Sequence, residues 1–258
     1  MADWNPALYR RYEDERTRPA IELLARVPLA QAREAVDLGC GPGNSTELIA
    51  ARFPDAHVTG VDNSEAMLDS ARVRLPGVPF ELADIATWQP PVAPDLIYAN
   101  AALQWVPDHP ALFPRLFAQL APGGVLAVQM PDNLDEPSHR LMREVAADGP
   151  WRDAIGDASK LRAPRRPIGE YYDMLAGSAA LVDVWHTVYQ HVMGSAEAIV
   201  EWVRATGLRP FIDPLSGSQR EGFLAEYTRR IDAAYPARAD GKRLLGFPRL
   251  FLIARRPA

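Results

Sequence analysis

Glu34-Ala-Val-Asp-Leu-Gly-Cys-Gly-Pro-Gly-Asn-Ser-Thr-Glu-Leu-Ile-Ala-Ala-Arg52 is the stretch whose reading decides the fold. Glu34 to Leu38 reads as a short buried strand. Glycines at 39, 41 and 43 follow, and Asn44 or Ser45 then caps a helix running to about Arg52. A strand that turns into a helix through glycines lets a ligand come close to the backbone.

Working outward, the same alternation recurs. His57–Asp62, Val78–Leu82, Asp95–Asn100 and Val125–Met130 read as strands. Ser64–Leu75 and Leu112–Leu120 read as helices, the second stopped by Ala-Pro-Gly-Gly at 121–124. Upstream, Asn5-Pro6 opens a helix to about Arg16, and Pro19–Arg26 forms another. Downstream of Pro131, Ser138–Ala147, Ser195–Thr206 and Ser218–Tyr235 read as helices. Leu181–Val192 alternates at period two, and Arg249–Ala254 closes the chain as a last strand. The pattern predicts a doubly wound, mostly parallel seven-stranded α/β sheet with helices on both faces and a helical cap. The expected organisation is an N-terminal helical segment over the active site (1–29), a ligand-binding core (30–193 and 248–258), and a cap (194–247) contributing to the substrate site.

Composition narrows the class. The chain has 258 residues, 48% of them hydrophobic, and a net charge of -5, which gives a nucleic-acid partner no general support. The single cysteine, Cys40, excludes an intramolecular disulfide and a Cys-rich metal site. The histidines at 57, 109, 139, 186 and 191 lack metal-ligand spacing and read as surface or satisfied core residues. No apolar run approaches the roughly 20 residues of a membrane span, and no signal peptide is legible. The expectation is a soluble, cytoplasmic protein with no metal, membrane or nucleic-acid partner.

The glycine loop departs from the dinucleotide pattern G-x-G-x-x-G. Its third glycine sits one place early, and Asn44 occupies the expected position. With Asp37 just before the loop and no basic residue near it, the site is poorly built for pyrophosphate. It suits a ligand carrying an ammonium and a sulfonium. Asp62 ends the second strand, where a carboxylate accepts from ribose hydroxyls. Asp84 follows the third, placed to accept from an adenine amine with Ile85 and Trp88 flanking the ring. Asn63 and Asn100 complete the candidate cofactor set. Each has a plainer reading: the glycines shape a turn, and Asp62 or Asp84 caps a helix. Their joint fall at successive strand ends favours the binding role.

These residues resemble class I S-adenosylmethionine-dependent methyltransferases, in Asp37-Leu-Gly-Cys-Gly-Pro-Gly43, Val61-Asp62, Ala83-Asp84 and Leu120-Ala-Pro-Gly-Gly-Val-Leu126. A narrower resemblance, to the trans-aconitate 2-methyltransferase family, runs over nearly the whole chain. Its segments include Asp3-Trp-Asn-Pro6, Asn100-Ala-Ala-Leu-Gln-Trp-Val-Pro-Asp-His109, Val128-Gln-Met-Pro-Asp-Asn133, Ala205-Thr-Gly-Leu-Arg-Pro210 and Phe247-Pro-Arg-Leu-Phe251. The stretch from Asp148 to Pro167 matches it less clearly and is basic and proline-broken. The resemblance implies S-adenosyl-L-methionine as methyl donor, S-adenosyl-L-homocysteine as product, and a small-molecule tricarboxylate, chiefly trans-aconitate, as acceptor.

A carboxylate acceptor with a pKa of roughly 4 is already ionised at pH 7, so no general base is needed. Binding it calls for arginines, which grip carboxylates in bidentate geometry. The candidates are Arg10, Arg16, Arg18, Arg209 and Arg249, with Tyr9 as a hydrogen-bond donor, and Gln104 and Trp105 lining the reacting end. Two rival readings stand at this point. One is a methyltransferase for a phenol, quinone or amine. The other is a nicotinamide-dependent oxidoreductase or a non-catalytic nucleotide binder. Subunit number is not assigned.

Overall fold

The computed structural model describes residues 13–158, 161, 165–204 and 207–258. The chain divides into two compact units. The first comprises Met1–Pro131, Arg166–Thr187 and Arg249–Ala258; the second comprises Asp132–Arg165 and Val188–Pro248.

In chain order the first unit holds α1 (Glu13–Ala25), β1 (Glu34–Leu38), α2 (Asn44–Arg52), β2 (His57–Asp62), α3 (Glu65–Arg74), β3 (Phe80–Leu82) and β4 (Leu96–Asn100). A 3-10 turn (Leu103–Trp105), α4 (His109–Ala118) and β5 (Val125–Pro131) follow. The sequence then supplies α5 (Pro137–Asp148), α6 (Arg152–Ile155), α7 (Ile168–Ala176), β6 (Leu181–Met193), α8 (Ala196–Arg204), α9 (Arg209–Ile212), α10 (Gly217–Ala234) and β7 (Arg243–Arg255).

The sheet has seven strands in the order β3-β2-β1-β4-β5-β7-β6. β1 pairs parallel with β2 and β4, β2 with β3, and β4 with β5, while β7 runs antiparallel to β5. The chain therefore builds outward from β1 in one direction, then returns to β4 and builds in the other. The β1–β4 pair is the topological switch, where open α/β sheets leave a crevice beyond their strand ends.

Alternate side chains serve opposite faces. Ile97, Ala99, Leu126, Val128, Leu250 and Leu252 enter one apolar core with Leu112, Phe113, Leu116 and Phe117 of α4 and Tyr171 and Leu175 of α7. Tyr98 points to the other face, where its buried hydroxyl donates to the Ala20 carbonyl of α1 at 2.6 Å. Helices thus cover both faces, as the apolar strand runs require.

Some boundaries differ from expectation. The helix expected to begin at Pro19 includes residues from Glu13 onward, with Pro19 inside it. The helix expected from Leu112 starts at His109, with Asp108 as N-cap in the left-handed region. β7 begins at Arg243 rather than Arg249, and α7 was not foreseen. The second unit begins at Asp132, so the expected 194–247 insert is only part of it. The cause is packing of α5 against α10 and α8. Tyr227 donates to the Ser138 carbonyl, the Trp151 indole donates to the Val145 carbonyl at 2.6 Å, and Trp151 meets Phe223 edge-on.

Candidate active site

The glycine loop lies immediately beyond β1, at the switch. Gly39 has φ +71°, and a Cβ built there would stand 2.3 Å from the Ala102 Cβ in the loop after β4. Only glycine lets these two loops close. Its N–H and that of Cys40 both donate to the Val61 carbonyl, at 2.7 and 3.0 Å, so the loop continues the β1–β2 pairing. Gly41 is different. Its φ is +54°, and a Cβ there would meet nothing within 4 Å. That side of the loop is open backbone, which a ligand can approach.

Asp62 ends β2 and ties itself to the loop. One carboxylate oxygen accepts from the Gly41 N–H at 2.9 Å, the other from the Ser64 N–H at 3.0 Å. Burial pushes its pKa up, and the backbone donors at Gly41 and Ser64 pull it back. A carboxylate has about four lone-pair positions, so further donors can be accepted. Asn63 beside it is exposed.

Asp37 is drawn into the packing of β1 against α2. It is 0% exposed, and one of its oxygens accepts from both the Ser45 and the Thr46 hydroxyls at 2.7 Å. That oxygen fastens the start of α2 to β1, while the other oxygen is buried with no hydrogen-bond partner among the described residues. Burial raises its pKa to about 6 against the pull of those hydroxyls. The spacing Asp37 to Ser45 and Thr46 was the signal for this contact.

After β3, Asp84 is exposed and turns the chain, with one carboxylate oxygen accepting from the Ala86 N–H at 2.9 Å. Ile85 is half-buried and would lie 3.6 Å from a Cβ at Gly39, so it borders the loop. Trp88 does not flank a ligand: it is buried in the apolar core, its indole N–H reaching Glu81 at 3.3 Å. The reason is Arg115 of α4, which donates to the Ile85 and Trp88 carbonyls at 2.6 and 2.7 Å and draws the turn onto the sheet.

After β4, Asn100 is half-buried, and its side-chain oxygen is buried with no hydrogen-bond partner among the described residues. Ala101 takes φ +53°, an unfavourable conformation for a residue with a Cβ. The Gln104 amide donates to the Ala101 carbonyl at 2.6 Å, which helps hold that turn. Trp105 next to it is half-exposed.

At the β5–β7 end stands a polar pair that sequence reasoning half found. Arg249, only 4% exposed, lies opposite Pro131, and its Nη1 donates to the Gln129 side-chain oxygen at 3.2 Å. Gln129 is fully buried and opposite Asn100 in the strand register. Its signal was one amide in an otherwise apolar strand, Val125-Leu-Ala-Val-Gln-Met-Pro131. Arg18 is exposed and pairs with Glu22 one helical turn on. Arg209 lies in the second unit beside Asp213, at 3.5 Å. Tyr9 and Arg10 lie outside the described residues, as does the side chain of Arg16.

Two histidines are held in the core or at the surface without a base-like setting. His109 bonds through one ring nitrogen to Tyr171 at 2.8 Å and through the other to the Leu103 carbonyl at 2.9 Å. His57 pairs with Glu34 on the surface. Among the described residues no group of His, Cys, Asp or Glu could hold a metal ion.

A seven-stranded sheet with an antiparallel β7 between β5 and β6, and a glycine turn at the switch, is the architecture of class I methyltransferases. The family model described as "Methyltransferase domain" matches residues 35–124. The chain is 70% identical over 259 residues to trans-aconitate 2-methyltransferase of Variovorax paradoxus (strain S110), covering 100% of both chains. It is 70% identical over 260 residues to the enzyme of the same name from Paracidovorax citrulli (strain AAC00-1), again covering 100% of both. The chain belongs to the trans-aconitate 2-methyltransferase family. A solved structure of Haemonchus contortus phosphoethanolamine N-methyltransferase 2 in complex with S-adenosyl-L-methionine shares the fold, with a TM-score of 0.55 at 18% identity. That match covers 93% of this chain and 53% of the other, so this chain spans about half its length.

Proposed function

We propose that the chain transfers the methyl group of S-adenosyl-L-methionine to a carboxylate of trans-aconitate, or of a closely related small tricarboxylate, leaving a monomethyl ester and S-adenosyl-L-homocysteine. The observation that carries this reading is the 70% identity along the full length to relatives bearing that activity in their names.

The residues at the switch fit such a donor. Gly41 offers backbone facing open space, and Asn100 offers a buried acceptor oxygen without a partner among the described residues. An ammonium is a donor such an oxygen can take. Asp62 has lone pairs to spare for ribose hydroxyls, and Asp84 keeps a carboxylate oxygen for an exocyclic amine, with Ile85 against the ring. When bound, S-adenosyl-L-methionine supplies an electrophilic methyl group on a sulfonium. The chain's own task is positioning and exclusion of water. The acceptor carboxylate is ionised at neutral pH, so no residue has to remove a proton. This agrees with a histidine, His109, whose two ring nitrogens are both engaged. Gln104 and Trp105, in the turn after β4, line the reacting end. Arg249 is the cation this reading relies on for an acceptor carboxylate.

A cytoplasmic setting without a membrane or nucleic-acid partner completes the proposal. It accords with a net charge of -5 and with the absence, among the described residues, of any helix long and apolar enough to cross a membrane. The test is a labelled-methyl transfer assay over di- and tricarboxylates, phenols and amines between pH 6 and 8. The expected result is label in trans-aconitate with no base-like loss of rate toward pH 6. Transfer to a phenol or amine alone would overturn the proposal.

A further inference from the structure

The turn after β3 has carbonyls that its own backbone leaves unbonded. Ala83 ties the start of the turn to the sheet, its N–H donating to the Asp62 carbonyl at 3.0 Å. The Asp84 carbonyl then accepts from the Thr87 and Trp88 N–H groups at 3.0 and 2.8 Å. One helix-like turn is closed, and it cannot continue, because Pro90 and Pro91 follow with no N–H to donate. The Ile85 and Trp88 carbonyls accept from no backbone N–H among the described residues. Carbonyls at the end of a helical turn are bonded by water or by a basic side chain.

Arg115 of α4 supplies that side chain. Its Nη2 donates to the Ile85 carbonyl at 2.6 Å and its Nη1 to the Trp88 carbonyl at 2.7 Å. A planar guanidinium fork spans two acceptors at once, which a lysine ammonium does not reproduce. Gln119, the C-cap of α4, adds a longer bond of 3.3 Å to the Trp88 carbonyl. The neighbours of Arg115 on α4, Phe113, Leu116 and Phe117, sit in the apolar core, so the helix that carries the fork is fixed. The clamped residue Ile85 is the one that borders the glycine loop, and it is next in sequence to Asp84.

We propose that Arg115 is a positioning residue for base recognition: by holding the Ile85 and Trp88 carbonyls it fixes Asp84 and Ile85 where an adenine meets them. The inference rests on the proposed function, which sets the base against these two residues. A guanidinium that only braced the fold would, when removed, weaken binding of every related ligand alike. One that places the Asp84 carboxylate decides which base is preferred. Adenine offers that carboxylate an amine donor, whereas hypoxanthine presents a carbonyl oxygen at the same position, which a carboxylate repels.

The experiment measures, by calorimetry on the full chain, affinity for S-adenosyl-L-homocysteine and for its hypoxanthine counterpart, S-inosyl-L-homocysteine. Thermal midpoints report folding. The wild-type chain is expected to prefer the adenine ligand by about tenfold or more. Arg115→Met should melt lower and cut that preference by about threefold or more. A smaller change in preference would overturn the inference and leave Arg115 a brace for the fold, however far both affinities fell together. Should Arg115→Met fail to fold, Arg115→Lys takes its place, and an unchanged preference in that variant overturns the inference instead. A wild-type chain that does not discriminate between the two ligands is a separate outcome. It would remove the adenine contact of Asp84 from the functional reading, and this inference with it.

Discussion

At the β1 end of the sheet edge the groups on offer are mostly backbone: Gly39 closed against Ala102 and Gly41 facing open space, its N–H donating to the Asp62 carboxylate. At the β5–β7 end they are side chains: Asn100, Gln129 and Arg249, on one face of three neighbouring strands. Backbone geometry is fixed by φ and by closeness of approach, so a single methyl group can abolish it. Side-chain geometry is fixed by hydrogen bonds, so it changes by degrees and in charge. The two ends should therefore fail differently.

The sharpest break is Gly39→Ala. The added Cβ would sit 2.3 Å from the Ala102 Cβ, at a φ of +71°. The left-handed conformation costs a residue with a Cβ roughly 1–2 kcal/mol, and overpacking adds about 1–3 kcal/mol. The expected outcome is a marked fall in thermal midpoint and no measurable S-adenosyl-L-homocysteine binding. Gly41→Ala should lose affinity with far less stability, because only strain is added. Equal stability losses in the two variants would erase the distinction drawn within the loop.

Beneath the loop, Asp37 predicts a pH effect. Its folded pKa, about 6, lies above the ordinary 3.8 because burial disfavours the charged form. Between those values the folded chain holds a proton that the unfolded chain has released, so stability falls as pH rises through 6. The contribution present near pH 4 is lost by pH 7, and amounts to roughly 3 kcal/mol. Asp37→Asn keeps an acceptor for Ser45 and Thr46 and removes the titration. Urea unfolding at pH 4.5 and 7.5 should show the variant gaining on wild type by about 2 kcal/mol at the higher pH, the rest of the loss falling below pH 4.5. A constant difference would mean that Asp37 does not titrate in this window.

The β1 half of the edge was open to reading because its residues act through position in the chain. The bounds of β1 and β2 follow from apolar runs ended by glycine or acid, and the positive φ of Gly39, Gly41 and Gly43 explains the loop. The errors came where tertiary contacts decide. Asp37 also holds two hydroxyls eight and nine residues on through one carboxylate oxygen, a contact the strand pattern alone did not show. Trp88 looks like a ring-stacking residue until Arg115 is seen to draw its turn inward. Gln129 and Arg249 are 120 residues apart, and only the antiparallel pairing of β5 with β7 brings them together. The α7 segment, Ile168-Gly-Glu-Tyr-Tyr-Asp-Met-Leu-Ala, opens without a side-chain cap, so its start carries no local signal.

A crossed pair of variants separates the two ends functionally. Asp62→Ala should weaken S-adenosyl-L-homocysteine binding by more than about tenfold and change the trans-aconitate KM little. Arg249→Met should raise that KM by about tenfold or more and leave product affinity within about twofold. Calorimetry and initial rates read both. If each variant moved both constants alike, the edge would be one cooperative site rather than two.

The smallest effect expected is that of Arg18→Ala, and it bears on what distinguishes Arg249. Both are arginines that the need for an anion grip singles out. Arg18, however, has a side chain 68% exposed and pairs with Glu22 at 2.9 Å along the same helix. Such exposed pairs are worth about 0.3–0.5 kcal/mol and are screened by salt. Its side chain lies in water beside a local partner, whereas Arg249 is only 4% exposed and donates to the Gln129 side-chain oxygen. Arg18→Ala should therefore shift the thermal midpoint by about a degree and the trans-aconitate KM by less than about twofold. A KM change rivalling that of Arg249→Met would show that exposure is no guide to which arginine meets the acceptor, and would move the anion grip to the N-terminal helix.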